Sequence, residues 1–125
     1  MKTLSLDQVL MLHKKTISLH GGSDGIRDIS LVQSALARPH ATFDGVDLYS
    51  TIEEKIASVV ESLVCNHAFV DGNKRIGAIV LMMLCYENGL KLIATEDEII
   101  EFILSIASGD KNFEIIVKWI IHNTI

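Results

Sequence analysis

The sequence predicts an all-helical domain, and three observations carry that prediction. Apolar residues recur at three- and four-residue steps along most of the chain. Ser and Thr residues stand three positions before Gln or Glu at the start of several of these runs. No stretch of useful length alternates as a half-buried strand must. A compact bundle of about six helices around a buried central helix follows, with room for one small hairpin.

The elements can be justified in order. Ser5 with Gln8, Thr51 with Glu54, and Thr95 with Glu98 have the spacing in which two side chains reciprocally satisfy free helix N–H groups. Leu6, Val9, Leu10 and His13 to Ile17 follow the first pair, and Gly21-Gly22 ends that helix. A shorter helix is predicted from Ser30 to Ala37, because Pro39 disfavours helical backbone at the residue before it. Arg38 to Tyr49 has no helical period, and Pro39, Asp44-Gly45 and scattered aromatics suit a loop or a small hairpin of unassigned register. Ile52, Ile56, Val59, Val60, Leu63 and Val64 mark the next helix. Another should start near Asn73 and stop at Asn88-Gly89. Its stretch Ile76 to Tyr86 is apolar nearly all round, which predicts the central position. Leu90 to Ala94 is a short strand-like connection. Ile99, Ile100, Ile103 and Leu104 then follow the third pair, and Phe113, Ile116, Val117, Ile120 and Ile121 lie on one face of a last helix starting near Asn112.

Composition narrows the function classes. At 125 residues, 49% hydrophobic and 22% charged, the chain fits a single domain, 1–125, with a well-filled core and no need of a disulfide or structural metal. A net charge of −5 argues against a general nucleic-acid binder, so any anion site must be local. Cys65 and Cys85 have no paired spacing and no signal peptide precedes the first helix, which reads as a cytoplasmic protein with reduced thiols. The run Ile76 to Tyr86 is about half the length a bilayer requires, so no membrane span is expected.

Between two predicted helices lies Asn66-His67-Ala68-Phe69-Val70-Asp71-Gly72-Asn73-Lys74-Arg75, a polar cluster flanked on both sides by core-type sequence. A turn leading into a helix N-terminus presents unpaired N–H groups and a partial positive charge, a natural phosphate cradle. Gly72 lets the backbone approach an anion, while Asn73, Lys74 and Arg75 add donors and charge. Asp71 would repel phosphate unless a divalent cation lay between them. Magnesium, which takes one or two carboxylates with phosphate oxygens and waters, resolves that conflict. The His67 imidazole can accept a proton from an attacking hydroxyl. Base, metal carboxylate and anion cradle together describe phosphoryl or nucleotidyl transfer.

The string His67 to Arg75 resembles the core motif of the Fic superfamily, His-x-Phe-x-Asp/Glu-Gly-Asn-Gly/Lys-Arg, and Lys74 makes it similar to the Doc (death-on-curing) branch. Gly22 to Asp28, Leu31 to Pro39, Asp47-Leu48-Tyr49 and Asn88-Gly89 add to the likeness. The resemblance implies a Fic/Doc-like bundle in which His67 is the base, Asp71 the magnesium ligand and a catalytic residue with Lys74, and Gly72, Asn73, Lys74 and Arg75 the phosphate-holding group. Phe69 would anchor the loop, and the segment around His40 to Gly45 would be a flap receiving the target peptide as an added strand. The adenylylating pattern has Gly where Lys74 stands and Arg where Ala78 stands. A lysine fills the space that a glycine leaves for inner phosphates. The Doc likeness therefore implies an ATP- and Mg2+-dependent kinase-like phosphotransferase moving the γ-phosphate to a protein hydroxyl. It further implies a threonine of elongation factor Tu as acceptor, translation arrest as outcome, and a Phd-like antitoxin docking as a helix in a groove. No autoinhibitory Ser/Thr-x-x-x-Glu-Gly/Asn segment is present, since Met83 precedes Glu87-Asn88 at the needed spacing. Fic-type nucleotidyl transfer, and a non-catalytic antitoxin-binding module with a vestigial site, are the alternative readings.

Each residue also has a plainer reading. Alone, His67 is a structural histidine, Asp71-Gly72 a common turn, Asn73 an N-cap, and Lys74 and Arg75 a solvated helix start, though the macrodipole opposes cations there. Arg27-Asp28 either touches the site or pairs internally and caps the second helix. His13, His20, His40 and His122 show no ligand spacing, and Cys65 with His67 is too thin for zinc. Met82, Met83 and Trp119 read as core. Neither a phosphate-binding P-loop nor a nucleophile triad is found.

Overall fold

The computed structural model describes all 125 residues. Six helices follow one another: α1 (Leu6–His20), α2 (Ile29–Ala37), α3 (Ile52–Cys65), α4 (Asn73–Glu87), α5 (Glu96–Ala107) and α6 (Phe113–His122). Between α2 and α3 the chain forms a 3-10 turn (Arg38–His40) and a hairpin of β1 (Thr42–Phe43) and β2 (Val46–Asp47). No helix is long and apolar enough to cross a membrane.

The caps act largely as their spacing predicts. Ser5 with Gln8 and Thr95 with Glu98 make full reciprocal boxes. Thr51 accepts from the Glu54 N–H, but the Glu54 carboxylate accepts from the hydroxyls of Ser50 and Thr51, so that box closes on one side only. The Asp28 carboxylate accepts from the N–H and hydroxyl of Ser30, and α2 accordingly begins at Ile29, one residue earlier than predicted.

The centre of the bundle differs from the expectation. α3 packs against α2, α4, α5 and α6, and its residues Ile56 to Val60 form an unbroken buried run. α4 packs against α1, α3 and α5, but its outer side surfaces at Met82 (41% exposed) and Tyr86 (81% exposed). The polar residues of α3 misled the sequence reading because they are satisfied internally. Ser58 donates to the Lys55 carbonyl, and Ser62 and Glu61 accept from Arg38. Met82 thus leaves the expected core, while Trp119 stays half-buried, stacked on Phe102 at 3.8 Å. Contact between α3 and α4 is very close at Gly77, where a Cβ would come within 2.4 Å of Val64 Cγ2.

The hairpin pairs Thr42 with Asp47 and Phe43 with Val46. Asp44 (φ +52°) and Gly45 (φ +75°) form its two-residue turn, both in the left-handed region that a type I′ turn demands. His40 belongs to the preceding 3-10 turn, where Pro39 fixes the backbone, so the hairpin begins later than the predicted flap. Phe43, Val46 and Leu48 leave their side chains in solvent. The 90–94 connection pairs with the C-terminal residues, Lys91 with Ile125 and Ile93 with Asn123.

Candidate active site

The turn between α3 and α4 is shaped residue by residue. His67 follows the end of α3 with φ +53°, a left-handed conformation that costs a non-glycine residue about 1 kcal/mol. Ala68 and Phe69 then drop into the core, and Val70 and Asp71 return to the surface. Gly25 to Asp28 runs antiparallel beside them. The Val70 N–H donates to the Gly25 carbonyl, and the N–H groups of Arg27 and Asp28 donate to the Ala68 carbonyl.

Two side chains lock the turn from inside. Asn73 accepts from the Phe69 N–H at 3.1 Å and donates to the Phe69 carbonyl at 3.0 Å. His13, only 2% exposed, lies flat on the Phe69 ring with centroids 3.8 Å apart, and its Nε2 is 2.7 Å from the Asp71 carbonyl oxygen. Gly72 (φ +78°) stands at the N-cap of α4 with no side chain capping it. Its Cβ would press on Ile17 at 3.1 Å and His13 at 3.4 Å, so glycine is required here for both conformation and space.

The consequence is an open helix N-terminus. The first α4 hydrogen bond runs from the Ile76 N–H to the Gly72 carbonyl, which leaves the N–H groups of Asn73, Lys74 and Arg75 without a backbone acceptor. The same three residues line a cavity of about 630 Å³ together with His67, Asp71 and Gly72. Val64, Val70, Ile100, Leu104 and Ala107 complete it with apolar surface. All the site residues singled out from the sequence therefore share one wall. Asn73 contributes differently from the expectation, because its side chain is committed to Phe69 and its N–H is what remains for an anion. Arg27 and Asp28 contribute backbone and a helix cap, and neither lines the cavity.

A rim that sequence reading missed comes from the turn after α1. The Ser23 N–H donates to Asp71 Oδ2 at 3.3 Å, while Asp71 Oδ1 accepts from the Gly72 N–H at 3.1 Å. Arg75 Nη1 donates to the Gly21 carbonyl at 3.1 Å. A Cβ on Gly22, whose φ is +106°, would sit 2.8 Å from Asp71 Oδ2 and 3.3 Å from Arg75 Nη2. The signal was available: one glycine suffices to end a helix, and the second needed its own reason. Arg75 also borders an apolar groove of about 520 Å³ between α1, α4 and α5, lined in part by Thr16, Ala78, Met82 and Ile100.

The donor set suits a phosphate chain with a divalent cation. No cluster of three or more His, Cys, Asp and Glu side chains exists, so the chain builds no metal cage of its own. Asp71 is an exposed single carboxylate beside free N–H groups, and magnesium typically takes just such a ligand together with phosphate oxygens and water.

The bundle thus carries a polar turn that opens onto an uncapped helix N-terminus, with an imidazole and a carboxylate on the same cavity. The chain belongs to the Fic/DOC family, whose sequence model matches residues 3–85. It is 43% identical over 77 residues to Toxin Doc of Mycolicibacterium smegmatis, a match that covers 62% of this chain and 59% of that protein. The chain thus spans less than two thirds of the length of that relative.

Proposed function

We propose that the chain is a Doc-type toxin that transfers the γ-phosphate of ATP to a hydroxyl of a protein target. The observation that carries the reading is the cavity shared by His67, Asp71 and the open α4 N-terminus with Lys74 and Arg75. ATP would supply the γ-phosphoryl group, its bond to the β-phosphate breaking so that ADP leaves, and Asp71 would hold the magnesium that offsets the phosphate charge. The N–H groups of Asn73, Lys74 and Arg75 hold the terminal phosphates, with the Lys74 ammonium adding a point charge. Gly72 keeps that approach free of side-chain bulk. His67 takes the proton of the acceptor hydroxyl. The exposed hairpin receives the target as an added strand, and a threonine of elongation factor Tu is the acceptor that the Doc likeness suggests. The apolar groove beside Arg75 suits one face of an antitoxin helix, since Met82 and Ile100 on its wall are exposed.

The test is incubation with magnesium, elongation factor Tu and ATP labelled at the γ- or the α-phosphate. Transfer of the γ label is expected, and transfer of the α label would replace this reading with nucleotidyl transfer. His67→Asn, chosen because asparagine tolerates the left-handed backbone, should lower transfer by about a hundred- to ten-thousand-fold with the fold intact. In cells, expression without an antitoxin should stop growth, and the same substitution should relieve the arrest. A wild-type chain that neither labels protein nor slows growth would leave only a binding module.

A further inference from the structure

His13 has no part in the proposed chemistry, yet it is the buried polar side chain nearest the anion cradle. Its Nε2 and the Asp71 carbonyl oxygen are 2.7 Å apart, so the ring donates there and the carbonyl is drawn inward. A trans peptide is planar, with its C=O and N–H pointing in opposite directions. Holding the Asp71 carbonyl in the core therefore turns the Gly72 N–H outward, where Asp71 Oδ1 accepts it. The peptide between residues 71 and 72 is poorly restrained by its own chemistry, because glycine accepts φ of either sign. If it rotated by half a turn, a carbonyl oxygen would enter the cavity beside the open α4 N-terminus. It would cancel part of the positive potential that an anion meets there, and the Asp71 carboxylate would lose the N–H that orients it.

We propose that His13 is a positioning residue, a latch that keeps the Asp71–Gly72 peptide in the orientation an anion-holding turn needs. The stack on Phe69 aims the ring and the Nε2–H holds the carbonyl, so the latch has two separable parts. It rests on the phosphate reading of the cavity for its use, though not for its existence.

The test uses the full chain with three substitutions. His13→Gln places an amide N–H near the Nε2 position, whereas His13→Phe keeps a ring on Phe69 without a donor. His13→Leu is a second donor-free variant in case the first does not fold. Two readouts are taken on folded protein: the Gly72 amide resonance without ligand, and the shifts of the Lys74 and Arg75 amides during titration with magnesium pyrophosphate. The latch predicts a wild-type-like Gly72 amide and affinity within about twofold for His13→Gln. It predicts a displaced or exchange-broadened Gly72 amide and about tenfold weaker binding for His13→Phe or His13→Leu, the loss that one buried hydrogen bond can produce. An unmoved Gly72 amide in the donor-free variants, or a folded His13→Gln that behaves like them, would overturn the latch. Wild-type protein that binds no pyrophosphate would count against the phosphate reading, and the Gly72 amide alone would then decide the latch.

Discussion

Arg38 illustrates what a single residue does away from the chemistry. Its guanidinium donates to the Tyr49 hydroxyl at 2.9 Å, the Glu61 carboxylate at 2.8 Å and the Ser62 hydroxyl at 3.1 Å, tying the end of α2 to α3 and to the bend that follows the hairpin. Burial alone would lower its pKa, but the bonds to Tyr49 and Glu61 outweigh it and hold the guanidinium above its ordinary value. Arg38→Ala should destabilise the fold by about 1–3 kcal/mol, since it strands acceptors that are half out of water. Urea unfolding measures this, and a change within error would mean that the network is ornamental. The sequence marked Arg38 only through likeness to a family, because its partners lie between 11 and 24 residues away and no local pattern reveals them. His67, Asp71 and Lys74 were legible for the opposite reason. They are neighbours in the chain, and a charged cluster between two apolar helices has few structural uses. His13 stayed invisible: its partner Asp71 is 58 residues away.

At the level of helices, caps could be read from spacing because they are local chemistry, whereas centrality could not, because it depends on which polar groups find partners across the bundle. Two caps also set a pH dependence. Asp28 is held below the ordinary aspartate value of 3.8, first by the Ser30 hydroxyl, against a smaller opposing effect of burial. Glu98 is held below its ordinary 4.5 by the N–H and then the hydroxyl of Thr95. For a carboxylate depressed in the folded state, the added stability is complete above the unfolded value and disappears as pH falls through the folded one. The urea midpoint should therefore drop on acidification from pH 6 to pH 3, and less steeply in an Asp28→Asn/Glu98→Gln double variant. Equal slopes would assign the drop to other carboxylates. Helix contact makes a second prediction. Gly77→Ala drives a methyl into Val64, so it should cost about 1–3 kcal/mol and lower the melting temperature. Because α3 and α4 carry opposite ends of the His67 to Gly72 turn, the same variant should, on the proposed function, also weaken magnesium pyrophosphate binding.

Across the whole molecule, the cavity is a joint product of residues inside and outside the span that matches the family. Its polar wall lies inside the span that matches the family, 3–85, while Ile100, Leu104 and Ala107 of α5 close it from outside that span. Sequence reading assigned α5 only to packing, since an apolar stripe does not announce which of its members faces a void. The two thiols test the packing independently. Cys85 is 1% exposed, with its pKa pushed up to about 11 by burial and then by Glu53, whereas Cys65 is exposed. Native protein at pH 8 should take up one equivalent of a maleimide, at Cys65, and a second only in denaturant. Rapid double labelling of native protein would mean that the core around Cys85 opens.

The 88–93 turn has a practical consequence. Asn88 grips the Lys2 backbone with bonds of 2.7 and 2.8 Å, and Lys91 pairs with Ile125, so residues 2 and 125 are both moored to one short stretch. That stretch follows the far end of α4, roughly 22 Å along the helix axis from the cradle at a rise of ~1.5 Å per residue. A fluorescent reporter or immobilisation handle fused beyond either residue would hang from the pole opposite the cavity that His67 and Asp71 line, leaving its mouth unobstructed.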